Sequence, residues 1–167
     1  MIANYIIRNK IKQANNILDV GCGKGAWIDL AKEKSFFGID INTKNNPEHY
    51  LETFHCNLDT TEFVFQNNTF DLVIAKDILE HLQNPMKTLL DIKGVMEEGS
   101  TLIVKVPDYR SKNAWGDYTH VRPYNRGAII QMVSDAGFEV EQVVRLGGYF
   151  LPRLITQAFS WLVVARK

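Results

Sequence analysis

Apolar positions along the 167 residues fall in short blocks that switch between two periods. Ile17–Val20, Phe36–Ile41, Tyr50–His55, Phe70–Ala75 and Thr101–Val106 are brief apolar runs of strand length. The run Phe70-Asp-Leu-Val-Ile-Ala75 is nearly continuous, as expected of a strand buried on both faces. Between these runs lie stretches that read as helices: Met1–Gln13, Ala26–Lys34, Asp77–Leu82, Pro85–Met96 and Asn125–Ala136. Glu98-Gly-Ser100 turns the chain into the fifth strand, Pro107 ends that strand, and Gly137 caps the last helix. Phe138–Val144 and Trp161–Ala165 close the chain as two further strands. Such alternation predicts an α/β fold, a parallel sheet covered by helices on both faces. The length predicts one domain over residues 1–167.

The most informative segment is Ile17-Leu-Asp-Val-Gly-Cys-Gly-Lys-Gly-Ala-Trp27. Gly21, Gly23 and Gly25 follow the first strand directly and allow a sharp turn to which a ligand can come close. The helix expected next aims its N-terminus and free N–H groups over that turn. This is the layout of a nucleotide-type cofactor cradle. Gly21, Gly23 and Ala26 also meet the dinucleotide pattern G-x-G-x-x-[G/A]. Asp19, two residues ahead, weighs against a pyrophosphate. Its carboxylate repels phosphate and favours a cofactor that carries an ammonium or sulfonium.

An acid followed by G-x-G-x-G resembles the first motif of the class I S-adenosylmethionine-dependent methyltransferases, and nearly all the chain from Ile17 onward can be laid on that family. The resemblance implies S-adenosylmethionine as cofactor and S-adenosylhomocysteine as product. It also implies a Rossmann-like, doubly wound, seven-stranded and mostly parallel sheet of order 3-2-1-4-5-7-6, its last-inserted strand antiparallel. Gly21, Cys22, Gly23 and Gly25 would form the turn under the cofactor, and Asp19 would face its methionine end or stabilise an Asx-type turn. Asp40, at the end of the second strand and about 20 residues past the glycines, stands where such folds place a ribose-binding acid. With Ile41 beside it, it would clamp both ribose hydroxyls, the alternative being a helix-cap or turn aspartate. Asn57-Leu-Asp-Thr60 resembles the family's adenine loop, so that Asp59 would accept from the exocyclic amine and the Thr60 N–H would donate to the ring. An ordinary surface turn is the other reading for either residue. Asp71–His81 resembles the fourth motif, which puts Ala75 and Lys76 beside the cofactor. Glu80 and His81 match its Leu-Glu-His signature and are expected to cap and pack the helix.

The loop after the fifth strand, Pro107–Tyr124, is long, polar and aromatic, which points to function. It overlies the carboxyl ends of the strands, where an acceptor is expected. Asp117-Tyr-Thr-His120, followed by Arg122-Pro-Tyr124, resembles members of the family that act on small molecules, sugars, glycans, lipid-linked precursors or quinone-type hydroxyls. His120 has the intrinsic pKa of a general base at neutral pH, with Asp117 as its neighbour; shaping the loop is its alternative role. Trp115, Tyr118 and Tyr124 would frame a sugar or aromatic ring, or line the core.

Charge and cysteines narrow the class further. Nineteen basic and nineteen acidic residues give zero formal charge, so a nucleic-acid partner is not expected. Cys22 and Cys56 lack metal-type spacing and form no disulfide framework, so no metal is assigned and a reducing cytoplasm is expected. No apolar run reaches the roughly 18 residues of a membrane span, and no signal-peptide layout opens the chain. After Pro152, the residues Leu154, Ile155, Ala158 and Phe159 predict an apolar helix face packed on the sheet; pairing in a homodimer or bordering a lipid-bearing acceptor are the alternatives. The expectation is methyl transfer to an oxygen, before nitrogen or carbon, of a small-molecule, glycan or lipid-linked acceptor. A nicotinamide-dependent oxidoreductase and a non-catalytic cofactor-binding subunit are the competing readings.

Overall fold

The computed structural model describes residues 2–25, 34–42, 50–65, 69–147 and 158–167. Helix α1 (Ile2–Gln13) leads into β1 (Asn16–Val20), followed by β2 (Ser35–Asp40), β3 (Tyr50–His55) and β4 (Phe70–Lys76). Then come α2 (Pro85–Val95), β5 (Met96–Pro107), α3 (Lys112–Gly116), α4 (Arg126–Asp135), β6 (Glu139–Leu146) and β7 (Ser160–Arg166). The strands form a seven-stranded sheet in the order β3-β2-β1-β4-β5-β7-β6. The β1–β2, β2–β3, β1–β4 and β4–β5 pairs are parallel, whereas β7 runs antiparallel to both β5 and β6. The expected order and the antiparallel insertion are both present.

The period-2 alternation of each strand assigns its side chains to two cores. Leu18, Val20, Ile39, Val73 and Val104 face one side, where Leu89 and Ile92 of α2 and Ile129 and Val133 of α4 cover them. Ile17, Phe36, Leu72, Ile74 and Ile103 face the other side, closed by Ile7 and Ile11 of α1. The i, i+4 spacing of that isoleucine pair puts both on one helix face, and burying each contributes about 1.5–3 kcal/mol. Asp71, from β4, accepts the amides of Asn15 and Asn16 and so ties the α1–β1 junction to the sheet.

Three expectations change. The helix expected over Asp77–Leu82 is a single 3₁₀ turn, Leu79–His81. Asp77 leaves β4 in the left-handed region at φ 51°, and Asn84 caps α2 by accepting from the Lys87 amide, with Pro85 at the helix start. Too few residues remain between them for a full helix. The fifth strand begins earlier than Thr101. Phe70 pairs with Met96 and Leu72 with Thr101, so the turn expected at Glu98–Ser100 survives as a bulge, with Gly99 at φ 75°. The loop after β5 holds the short helix α3, which no spacing announced. Most of the helix expected at 26–34, together with Leu154 and Ile155, lies outside the described residues.

Candidate active site

The glycine turn sits where β1 ends, between β2 and β4. Gly21, Gly23 and Gly25 all have positive φ, at 73°, 51° and 76°. At Gly21 there is a second demand, because a Cβ would lie 2.7 Å from Ile78 Cγ1. The amides of Gly21 and Cys22 donate to the Ile39 carbonyl, and that of Gly25 donates to the Cys22 carbonyl. The Cys22 side chain points into the α1 core, where burial pushes its thiol up to about 12. Cys22 therefore contributes main chain to the turn and no nucleophile.

Asp19 is 3 % exposed, and its carboxylate accepts from the Tyr50 hydroxyl at 2.5 Å. Burial raises its pKa to about 6; the Tyr50 bond and the charge of Lys76 oppose that rise. An Asx-type turn was the alternative for Asp19. The side chain instead binds across the sheet to β3, a partner that no sequence spacing revealed. Lys76 pairs with Asp77 at 3.3 Å. Ala75 meets Val20 in the β1–β4 ladder, level with the turn, while its side chain is buried in the core beneath.

A cavity of about 290 Å³ opens beside the turn, lined by Gly21, Asp40, Ile41, Cys56, Asn57, Leu58, Asp59, Ile78, His81 and Leu82. Asp40 takes the Gly23 amide on Oδ2 and the Asn42 amide on Oδ1. A carboxylate has about four acceptor positions, so this turn role leaves capacity for ligand hydroxyls. Asp59 accepts the Asn84 amide on Oδ1, and its own amide donates to Asn57 Oδ1. Thr60 departs from its expected part. It is absent from the cavity lining, and its N–H is spent on the Asn57 carbonyl within the turn. The apolar walls Leu58, Ile78 and Leu82 were missed in the sequence, where they look like ordinary core positions.

A second cleft, of about 480 Å³, is lined by Asp77, Glu80, His81, Lys105, Pro107, Gly116, Asp117, His120 and Ser160. His81 lines both spaces. Asp77 is held by Lys105 at 2.5 Å, which stabilises its strained backbone at the cleft floor. His120 Nδ1 lies 3.1 Å from the Ala114 carbonyl, which can only accept, so Nδ1 carries the proton and Nε2 keeps its lone pair. Nε2 stands 3.9 Å from Asp117 Oδ2. Asp117 also accepts the Thr119 amide and hydroxyl, and these bonds hold its pKa below the usual carboxylate range. Asp117 thus shapes the loop and flanks His120 at once. The rings of His81 and His120 meet edge to face with centroids 4.6 Å apart. Burial, followed by this neighbour, lowers the His81 pKa. Glu80 is 1 % exposed, and burial pushes its carboxyl up to about 8.

The loop is fixed at both ends. Tyr109 donates its amide to the Tyr124 carbonyl, and Val121 and Arg122 donate theirs to the Glu80 carbonyl. Tyr124 is not a wall of the cleft. Its ring is buried and its hydroxyl donates to the Leu79 carbonyl at 3.2 Å, so it anchors the 3₁₀ turn from within the core. Tyr118 is 98 % exposed and Trp115 69 % exposed, the indole N–H donating to the Tyr109 carbonyl. Neither lines the cleft itself, but each adjoins a residue that does, Asp117 and Gly116 respectively.

The family described as "Methyltransferase domain" matches residues 3–143. An uncharacterized protein of Methanocaldococcus jannaschii is 28% identical over 138 residues, covering 83% of this chain and 60% of that protein. A Methylococcus capsulatus protein named tRNA U34 carboxymethyltransferase is 32% identical over 101 residues, covering 53% of this chain and 31% of that protein. The chain thus spans 60% or less of the length of these two relatives. The crystal structure of a SAM dependent methyltransferase from Archaeoglobus fulgidus matches with a TM-score of 0.76 at 19% identity, covering 99% of this chain and 91% of that one; at that identity the likeness is one of fold. With the domain matched over most of its length and the 3-2-1-4-5-7-6 sheet in place, the chain belongs to the class I S-adenosylmethionine-dependent methyltransferases.

Proposed function

We propose that the chain is an enzyme that transfers the methyl group of S-adenosylmethionine to an oxygen of a small-molecule, sugar, glycan or lipid-linked acceptor. The observation that carries this reading is the pair of neighbouring cavities with His81 as a common wall. One has the residues of a nucleoside site and the other holds titratable groups suited to an acceptor. The residues present fit the cofactor. Gly21 offers bare main chain, Asp40 has spare acceptor positions toward a ribose, and Ile41, Leu58, Ile78 and Leu82 give apolar walls to a base. Asp59 keeps one carboxylate oxygen for an exocyclic amine. The ring donor is reassigned from Thr60 to the Leu58 amide, which no described residue accepts. In its ionised form Asp19, whose pKa burial raises to about 6, favours a cationic cofactor over a phosphate.

When bound, the cofactor supplies an activated methyl on sulfur. The chain's own part is to align an acceptor in the second cleft, exclude water and receive a proton. His120 Nε2 is the proton-accepting atom, because the Ala114 carbonyl fixes the tautomer and the Asp117 carboxylate stabilises the charged ring. Trp115 and Tyr118 offer exposed rings at the rim, on which a sugar or aromatic acceptor can rest.

The Methylococcus capsulatus relative favours a nucleic-acid acceptor as the second reading. Zero net charge and a cleft whose lysine is paired with Asp77 weigh against it. A methyl-transfer screen against nucleotide sugars, lipid-linked glycans, catechols, quinols and tRNA decides, with Asp40→Ala as control. The reading expects transfer to one of the non-nucleic acceptors, lost in the control; methylation of tRNA alone contradicts it.

A further inference from the structure

The acceptor cleft contains a group that the proton-transfer scheme leaves unused. Glu80 is buried, faces the cleft, and its Oε2 has no hydrogen-bond partner among the described residues. A buried carboxyl oxygen left without a partner is costly, so a folded chain that keeps one there calls for a ligand. Its neighbours supply the rest of a donor set. One ligand atom each from Glu80, His81 and His120 lies within 4.8 Å of the other two.

The hydrogen bonds behind the histidines point the same way. The Thr119 hydroxyl gives its single proton to Asp117 Oδ1 at 2.6 Å, so at 2.9 Å from His81 Nδ1 it accepts. His81 therefore carries its proton on Nδ1, and His120 does so toward the Ala114 carbonyl. Both rings are left with Nε2 lone pairs. Metal-binding histidines are oriented in this manner, with the second ring N–H donated to a carbonyl or to a carboxylate-backed group. We propose that Glu80, His81 and His120 form a site for a divalent first-row transition ion in the acceptor cleft.

Two imidazoles and one carboxylate suit manganese or zinc better than magnesium, and three protein ligands leave positions open toward the cleft. Ligand bonds of about 2.0–2.2 Å put ligand atoms roughly 3.0–3.5 Å apart, inside the 4.8 Å within which these three lie.

This inference rests on the methyltransferase reading for its purpose. An acceptor hydroxyl held against the ion would be more acidic and would pass its proton to bulk solvent as it binds, before water is excluded. Its oxygen then forms the bond to the methyl carbon as the carbon–sulfur bond breaks, the electron pair returning to sulfur. In the ion-free protein His120 Nε2 takes the proton. In the loaded protein the same lone pair is coordinated, so the two roles belong to two loading states.

The test is a manganese chloride titration of the chelator-treated protein, read by loss of the free-ion EPR signal. One ion per chain is expected, with affinity at least about tenfold weaker in both Glu80→Gln and His120→Ala. His120→Ala changes a loop position and keeps the test sound should Glu80→Gln not fold. S-adenosylhomocysteine binding is measured on the same samples. If the wild type fails to bind that ligand, the methyltransferase reading falls while the ion count still stands. Absence of a stoichiometric ion, or uptake unchanged in His120→Ala, overturns the metal site.

Discussion

The Tyr50 hydroxyl reaches the Asp19 carboxylate at 2.5 Å by passing over Gly38, the β2 residue that pairs with Asp19. A Cβ on Gly38 would lie 3.0 Å from Tyr50 Cδ1 and 2.7 Å from Cys22 Sγ. One bare position thus lets β3 supply a hydrogen bond to the acid of the cofactor turn and lets the turn's cysteine pack beneath it. Tyr50→Phe removes that donor and leaves a buried carboxylate without it. Destabilisation of about 1–3 kcal/mol is expected in urea unfolding at neutral pH. An unchanged midpoint and slope would show that the bond contributes nothing.

Asp19 also makes a pH prediction. Its folded pKa, about 6, lies above the ordinary 3.8, so the native state holds its proton more tightly than the unfolded chain does. The stability contributed by this group is fully present below about 3.8 and is lost as pH rises through about 6. Asp19→Asn should flatten that part of the stability profile. Binding of a cationic cofactor should favour the ionised form, releasing protons near pH 6. Calorimetry in buffers of different ionisation heat reads the release, and a buffer-independent enthalpy would contradict it.

Gly21→Ala adds a Cβ at φ 73° that meets Ile78 Cγ1 at 2.7 Å. Backbone strain of about 1–3 kcal/mol is expected, with a loss of S-adenosylhomocysteine affinity. Gly23→Ala is the informative comparison, since its Cβ meets nothing within 4 Å and only the backbone cost at φ 51° remains. Equal losses in the two variants would remove the argument from Ile78.

Asp40→Ala should weaken S-adenosylhomocysteine binding by about 1–3 kcal/mol, because ribose hydroxyls are left unpaired. His120→Ala should slow turnover and leave that affinity intact, as His120 lines the acceptor cleft and is absent from the cofactor cavity. Full activity of the second variant would reduce the histidine to a scaffold.

The sheet was legible because apolar runs and glycine turns are local signals, and β3 begins and ends at the expected Tyr50 and His55. The glycine turn, and the places of Asp40 at the end of β2 and of His120 in the loop after β5, were legible for the same reason. Contacts that cross the sheet were not. Tyr50 lies 31 residues from Asp19, and nothing in its own segment marks it as a partner. Glu80 and His81 read as cap and packing residues until the loop folded back and set His120 against them. Thr60 and Tyr124 follow the alternatives open to them in the sequence, a turn and the core. Both stand at motif positions, yet a turn bond takes the Thr60 amide, and the Leu79 carbonyl holds Tyr124 in the core.

The most direct test of the account is calorimetry of the wild-type chain with S-adenosylhomocysteine and, separately, with NAD. One S-adenosylhomocysteine per chain, weakened in Asp40→Ala, and no heat with NAD are expected. Tight NAD binding with no heat from S-adenosylhomocysteine or S-adenosylmethionine would contradict it.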